Sequence, residues 1–215
     1  MNIRLVPGLA VRGLATLAGC GSPPHAHHRA PPTAVAPTPT PADELQFASD
    51  MRTTFSFKGS VSTGDLIAFG QEVCSALTGG TTLAAEVPTV QQDWTSTTPG
   101  DAIQMVNLAT KDLCSAQQVA QTVTYVVSSS SADVTYGPSG TDDSGTVPMS
   151  VTQPLATPQY YSITAQLNGY GSVSCALEVD GVTISSASAS GGYNIASCEI
   201  DQNPVTNSWE NTNSS

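Results

Sequence analysis

The spacing of apolar residues changes about halfway along this chain. Over residues 43–117 they recur every three or four positions. Phe47, Met51 and Phe55 make one stripe on a helix opened by Asp43 and Glu44. Asp65 begins a second helix, with Leu66, Phe69, Val73 and Leu77 along one side. Gly79 and Gly80 end it, as a left-handed cap requires. A shorter helix is predicted from Leu83 to Trp94, interrupted or restarted at Pro88. The clearest start signal is Thr98-Pro99-Gly100-Asp101. Thr98 caps, Pro99 takes the first helical position and Asp101 completes a capping box. Ile103, Val106, Ala109 or Thr110, and Leu113 then continue at helical spacing.

Over residues 118–201 the period falls to two. Val123, Tyr125 and Val127 alternate with polar residues, as do Val173, Cys175, Leu177 and Val179. Asp180-Gly181 between Val179 and Val182 is a hairpin turn signal, because both central positions of such a turn need positive φ. Short strands are predicted near 134–136, 147–151, 161–167, 183–188 and 193–199. The fold class is α+β in separate domains: a small N-terminal helical bundle, then an antiparallel, immunoglobulin-like β-sandwich.

The flanking segments lack either period. Residues 1–19 place Arg4, an apolar run and small residues ahead of Cys20, the layout of a lipoprotein signal peptide, although Arg12, Pro7 and Gly8 interrupt the run. Leu17-Ala18-Gly19-Cys20 is lipobox-like, which makes Cys20 the expected lipidation site and the membrane the expected anchor. Residues 20–42 are proline-rich and read as an extended tether. Residues 202–215 read as a disordered tail, in which Trp209 packs back on the sandwich or touches a partner.

The remaining four cysteines fall two to a region: Cys74 and Cys114 in the helical part, Cys175 and Cys198 in the strand part. Even pairing suggests one disulfide in each and an oxidising compartment. In the loop-entropy account each bridge contributes about 3–4 kcal/mol. The net charge of −11 repels phosphate backbones, so nucleic acid is not an expected partner.

Two resemblances refine this picture. Asp65-Leu66-Ile67, Gly70, Val73-Cys74, Leu77, Gly80 and the closing Leu113-Cys114 resemble a small helical domain of unknown function. That domain is found in secreted and lipid-anchored proteins of mycobacteria and their actinobacterial relatives. Val123 to Val127, Ala132 to Tyr136, Gly171-Ser172-Val173-Ser174-Cys175, Val179-Asp180-Gly181 and Cys198 resemble the extracytoplasmic domain of the mycobacterial membrane protein family MmpS. That resemblance implies an envelope transporter of the RND type, exporting lipids or siderophores, as partner. The family carries a membrane-spanning helix ahead of this domain, where this chain has a lipobox, a tether and helices.

Catalytic chemistry is not visible. There is no nucleophile elbow, no phosphate-binding glycine loop and no zinc spacing, and His25, His27 and His28 all lie in the tether. Those histidines could bind a metal, but a flexible tract without a fourth ligand reads better as a solvated linker. Asp133, Asp142 and Asp143 could ligate calcium, yet adjacent acids in a Ser/Gly-rich loop read as solvated. Tyr160, Tyr161 and Tyr170 form either an aromatic platform or core and turn positions, the second being favoured. The expectation is a non-enzymatic envelope lipoprotein without cofactor or metal, acting as a binding or adaptor module; the alternative is a passive carrier of lipid or glycan. Reduction of the purified, lipidated chain is expected to add four hydrogens to its intact mass, and alkylation before reduction to find no free thiol.

Overall fold

Three helices begin with the same four-residue device. In α1 (Pro41–Thr54), α2 (Thr63–Thr78) and α4 (Pro99–Asp112), the N-caps Thr40, Ser62 and Thr98 exchange hydrogen bonds with Asp43, Asp65 and Asp101 three residues later. The hydroxyls of Thr40, Ser62 and Thr98 donate to these carboxylates at 2.8, 2.7 and 2.8 Å. The Thr40 amide and hydroxyl hold the Asp43 carboxyl, and the Ser62 hydroxyl and amide the Asp65 carboxyl, below the usual carboxylate range. The cap therefore lies three residues ahead of the acids that mark the first two helices in the sequence.

In this computed structural model, residues 38–57, 61–156 and 160–213 are described. The signal peptide, Cys20 and most of the tether lie outside them. The α2 helix ends at Gly79, and Gly80 takes φ +96°. The Thr81 amide then donates to the Ala76 carbonyl and the Gly80 amide to Leu77, a Schellman closure. The α3 helix (Leu83–Asp93) runs unbroken through Pro88, because buried Val87 and Val90 hold it against its neighbours. The α4 helix is central: Ala102, Ile103, Val106 and Ala109 are each at most 1% exposed.

Two close contacts define the helical packing. Gly70 on α2 has no side chain because a Cβ there would lie 2.5 Å from both Leu113 Cδ1 and Phe47 Cε1. An aromatic chain runs Phe47–Phe69–Trp94–Phe57–Phe55, with successive ring centroids 6.5, 5.6, 5.0 and 6.2 Å apart. Phe55 belongs to that chain from an extended cap position rather than from the α1 stripe. The Cys74–Cys114 bond ties α2 to the residue after the α4 cap, with Cα atoms 5.9 Å apart.

A 3₁₀ turn (Ser115–Gln117) leads into nine strands among the described residues: β1 (Thr122–Ser128), β2 (Ala132–Pro138), β3 (Asp143–Gly145), β4 (Met149–Pro154), β5 (Tyr160–Leu167), β6 (Ser172–Val179), β7 (Val182–Ser190), β8 (Ile195–Gln202) and β9 (Trp209–Asn211). They form two antiparallel sheets, ordered β4-β1-β6-β7 and β3-β2-β5-β8-β9. Alternate residues face inward, so Tyr125 pairs with Leu177 and Tyr161 with Ile200 on the buried faces. Cys175 on β6 and Cys198 on β8 belong to different sheets, so their bond clamps the sandwich across its core. The expected classes and their order are both present, and the described residues belong to one compact unit spanning 36–215.

The expected disordered tail is instead structure. Trp209 on β9 pairs with Gln202, is 2% exposed, and sets its ring 5.7 Å from that of Tyr161. Its asparagines shape the turn and the clasp. The Asn203 side chain accepts from the amides of Val205 and Thr206, and Asn207 takes φ +57°. Asn213 Oδ1 accepts from the Glu199 amide at 2.6 Å and from Ser185 Oγ at 2.8 Å, joining the β7 edge to β8.

Helices and sandwich meet where the first turn of α4 touches β9. A Cβ on Gly100 would fall onto the backbone of Trp209, including its carbonyl oxygen. Since both partners are backbone, no rotamer change relieves that clash. Gly100→Ala is expected to cost about 2–3 kcal/mol as an overpacking change, and Trp209→Ala about 3–5 kcal/mol as a cavity. Gly64→Ala, whose methyl would meet only Ser62 Oγ at 3.7 Å, is expected to stabilise by up to about 1 kcal/mol. Urea denaturation of the three variants checks the order.

Candidate functional site

The Asp180–Gly181 hairpin lies against the start of α3. Both residues have positive φ, 51° and 80°, as the turn type requires. Glycine serves at the second position, and its α-carbon packs toward the Ala84 methyl at the start of α3. Asp180 ties the turn to the start of β1. Its amide donates to the Thr122 carbonyl at 3.0 Å, and its Oδ1 accepts from the Thr122 amide at 2.8 Å. Its Oδ2 accepts from Gln121 Nε2 at 3.3 Å.

Beside this clamp lies an open cleft of about 370 Å³ between the α2–α3 turn, α4 and the strand that enters the sandwich. Leu77, Leu83, Ala84 and Val119 supply apolar walls, and Thr110 and Asn107 supply polar ones. Asp180 is the sole ionisable group in the lining among the described residues. Burial pushes its carboxyl up from the usual range, and the Thr122 and Gln121 bonds oppose that rise. An apolar cleft with one engaged carboxylate is suited to holding a ligand by contact and a hydrogen bond. It does not present the acid and base pair that proton transfer needs.

The residues singled out in the sequence separate in space. Cys74, Cys114, Cys175 and Cys198 form the two expected bonds, with Cα separations of 5.9 and 6.1 Å. Cys20, His25, His27 and His28 lie outside the described residues. Asp142 and Asp143 are exposed at the β2–β3 end, whereas Asp133 starts β2 and accepts from Asn168 Nδ2 at 3.0 Å. No group of three or more metal-ligating side chains occurs among the described residues. Tyr161 is core, and its hydroxyl accepts from the Ala156 amide and donates to the Ala156 carbonyl. Tyr160 is half-buried beside it, while Tyr170 is 96% exposed at the other end of β5 and β6. The three tyrosines therefore build no common platform.

Sequence reasoning overlooked the Asp180 clamp and the cleft. The Asp-Gly pair showed the turn, but nothing local showed which amide the carboxylate would meet 58 residues away. Both cations among the described residues serve packing. Arg52 donates to the Val61 carbonyl and Thr63 Oγ1, and Lys111 lies 3.0 Å from Asp50 and 3.3 Å from Asp112.

Residues 43–116 match a protein family described as "Protein of unknown function (DUF732)". The match covers the four helices and the Cys74–Cys114 bond, and stops before β1. No curated protein matches the chain.

Asp180 has a definite pH signature. A carboxyl raised in the folded state contributes stability that is fully present below its unfolded value, about 4. That stability is lost as pH rises through the raised folded value. Asparagine keeps an acceptor for the Thr122 amide and tolerates positive φ. The stability of the natural chain relative to Asp180→Asn is expected to fall as pH rises above about 4. Identical pH profiles in urea titrations of the two proteins would deny the burial effect.

Proposed function

We propose that this chain is a lipid-anchored, non-enzymatic protein of the extracytoplasmic face, carried on Cys20 and acting as a binding or adaptor module. The observation that carries this reading is that Cys74, Cys114, Cys175 and Cys198 are all paired, one bond to each region, which fits an oxidising compartment. The resemblance of residues 65–114 to a domain of secreted and lipid-anchored proteins supports the same reading. The resemblance of residues 123–198 to MmpS supports an envelope exporter as the partner class.

An adaptor is favoured over a carrier that encloses its cargo. Tyr125, Tyr161, Ile163 and Leu177 fill the sandwich interior at 0–1% exposure. The junction cleft of about 370 Å³ opens to solvent and lies near the lower bound for small-molecule pockets. That cleft is also what a passive carrier would use, and it is the observation behind the second reading.

The test is made on the full chain in an actinobacterial host. The natural protein is expected in the membrane fraction, and Cys20→Ala is expected to be released outside the cytoplasm. A photocrosslinking residue at exposed Val119, on the cleft rim, is expected to give adducts with transporter subunits. Cytosolic, unprocessed protein would sink the anchor, and adducts lacking any transporter would sink the partner class.

A further inference from the structure

The end of the sandwich away from the helices is closed by two loops of similar composition. Asn168-Gly169-Tyr170-Gly171 joins β5 to β6, and Gly191-Gly192-Tyr193-Asn194 joins β7 to β8. Each crosses from one sheet to the other, and the two are laced together. The Gly191 amide donates to the Gly171 carbonyl at 3.0 Å, and the Tyr193 amide to Gly169 at 3.3 Å. Gly169, Gly171 and Gly191 take positive φ, which lets the two loops lie side by side. Tyr170 lies over Gly192, where an added Cβ would be 3.8 Å from its ring.

The tyrosines contribute little to this packing. Tyr170 is 96% exposed, Tyr193 70% and neighbouring Ile195 52%. Tyr193 also holds φ +60°, a conformation that costs a non-glycine residue about 1 kcal/mol or more. Asparagine or glycine would fit that backbone more readily, yet the position carries an exposed ring.

A shallow groove of about 520 Å³ starts at Gly171, the residue after Tyr170, and is lined by Ser128, Ser129, Ser130, Ser172, Ser174 and Ser188 together with Val173. The surroundings are close to neutral. Residues 118–215 carry eight carboxylates and no Lys, Arg or His. At this end stands Asp133, engaged by Asn168; Asp142, Asp143, Glu178, Asp180, Asp201 and Glu210 belong to the opposite ends of their strands or loops, and Glu199 pairs with Ser162 farther along β8.

We infer that this tip binds a neutral polysaccharide, with Tyr170 and Tyr193 as stacking platforms and the serine groove as the hydrogen-bonding wall. A sugar ring offers an apolar C–H face to an aromatic ring and hydroxyls to side-chain hydroxyls and amides, and this end presents both together. Loops of Tyr, Ser, Gly and Asn at one end of a sandwich are also the composition of adaptable recognition surfaces. The charge decides the occupant. An acidic chain repels anionic lipid and phosphate polymers. A folded protein partner would need about 800 Å² per side around a buried apolar centre, which hydroxyl walls do not provide.

The inference deepens the proposed function and rests on it, by naming the class of molecule bound. It is tested with purified full chain carrying Cys20→Ala, run through native gels containing dextran, mannan or galactan, with alginate as the anionic control. Retardation by at least one neutral polymer and none by alginate is expected. Tyr170→Ala and Tyr193→Gly, the latter keeping the backbone conformation, are each expected to weaken it about tenfold, the scale of one lost aromatic anchor. Leu45→Ala, which removes an exposed apolar side chain on α1, is expected to change nothing. Absence of retardation by all three neutral polymers would overturn the site, as would equal retardation of the Tyr170→Ala/Tyr193→Gly double variant. Fractionation is scored separately. Membrane-bound protein without polysaccharide binding sinks the tip alone, whereas cytosolic protein sinks the proposed function.

Discussion

Helix α4 and strand β9 meet backbone to backbone, and that contact sets the rest of the assembly. It requires glycine at position 100, because any side chain there would occupy the space of the Trp209 peptide. In return it buries Trp209 beside Tyr161 and brings the C-terminal strand to the sheet edge. From there the chain reaches Asn213, whose amide joins β7 to β8. One close approach thus positions the central helix, closes a sandwich edge and turns a polar tail into the last strand. Buried apolar side chains of helices and sheets run into one another across this junction rather than forming two isolated cores.

The disulfides act within the regions that this contact joins. Cys74–Cys114 holds the end of the helical region to α2 just before the chain turns toward β1. Cys175–Cys198 spans the two sheets. Neither crosses between regions, so their union depends on packing: Gly100 against the Trp209 backbone, and the Gly181 turn against Ala84. That division accounts for the locations of the candidate surfaces. The cleft with Asp180 is at the seam, between the α2–α3 turn, α4 and the chain entering β1. The tyrosine tip is at the far end, where loops only have to close the sandwich and are free to carry other chemistry.

Charge is distributed in the same sense. Arg52 and Lys111, the cations among the described residues, lie in the helical region and are spent on contacts within it. The sandwich carries only acids, most of them toward the helical end, and its distal tip offers aromatic rings, hydroxyls and amides. An acidic body with a near-neutral tip excludes polyanions from the surface while leaving a place for an uncharged ligand.

Local chemistry was enough to read the four helices, the strands other than β3 and β9, and the Asp180–Gly181 turn. Capping boxes, a Gly-Gly stop and period-two alternation each act over a few residues, so the chain by itself determined the class and order of its longer elements. Even cysteine numbers in each region likewise made the two pairings legible. The structure alone decided what depends on partners far apart in the chain. Trp209 in a polar stretch carries no sign of the space that Gly100 leaves open. Asn203 and Asn213 look like solvated residues until the amides they satisfy are in place, and Asn207 until the turn asks for its positive φ. Pro88 reads as a break, yet the burial of Val87 and Val90 outweighs the loss of one hydrogen bond. Tyr160, Tyr161 and Tyr170 are close in sequence, but the length of β5 puts Tyr161 in the core and Tyr170 in solvent beside the loop of Tyr193. Sequence spacing specifies which way a side chain points along its own element; only the packing of elements decides what stands opposite it.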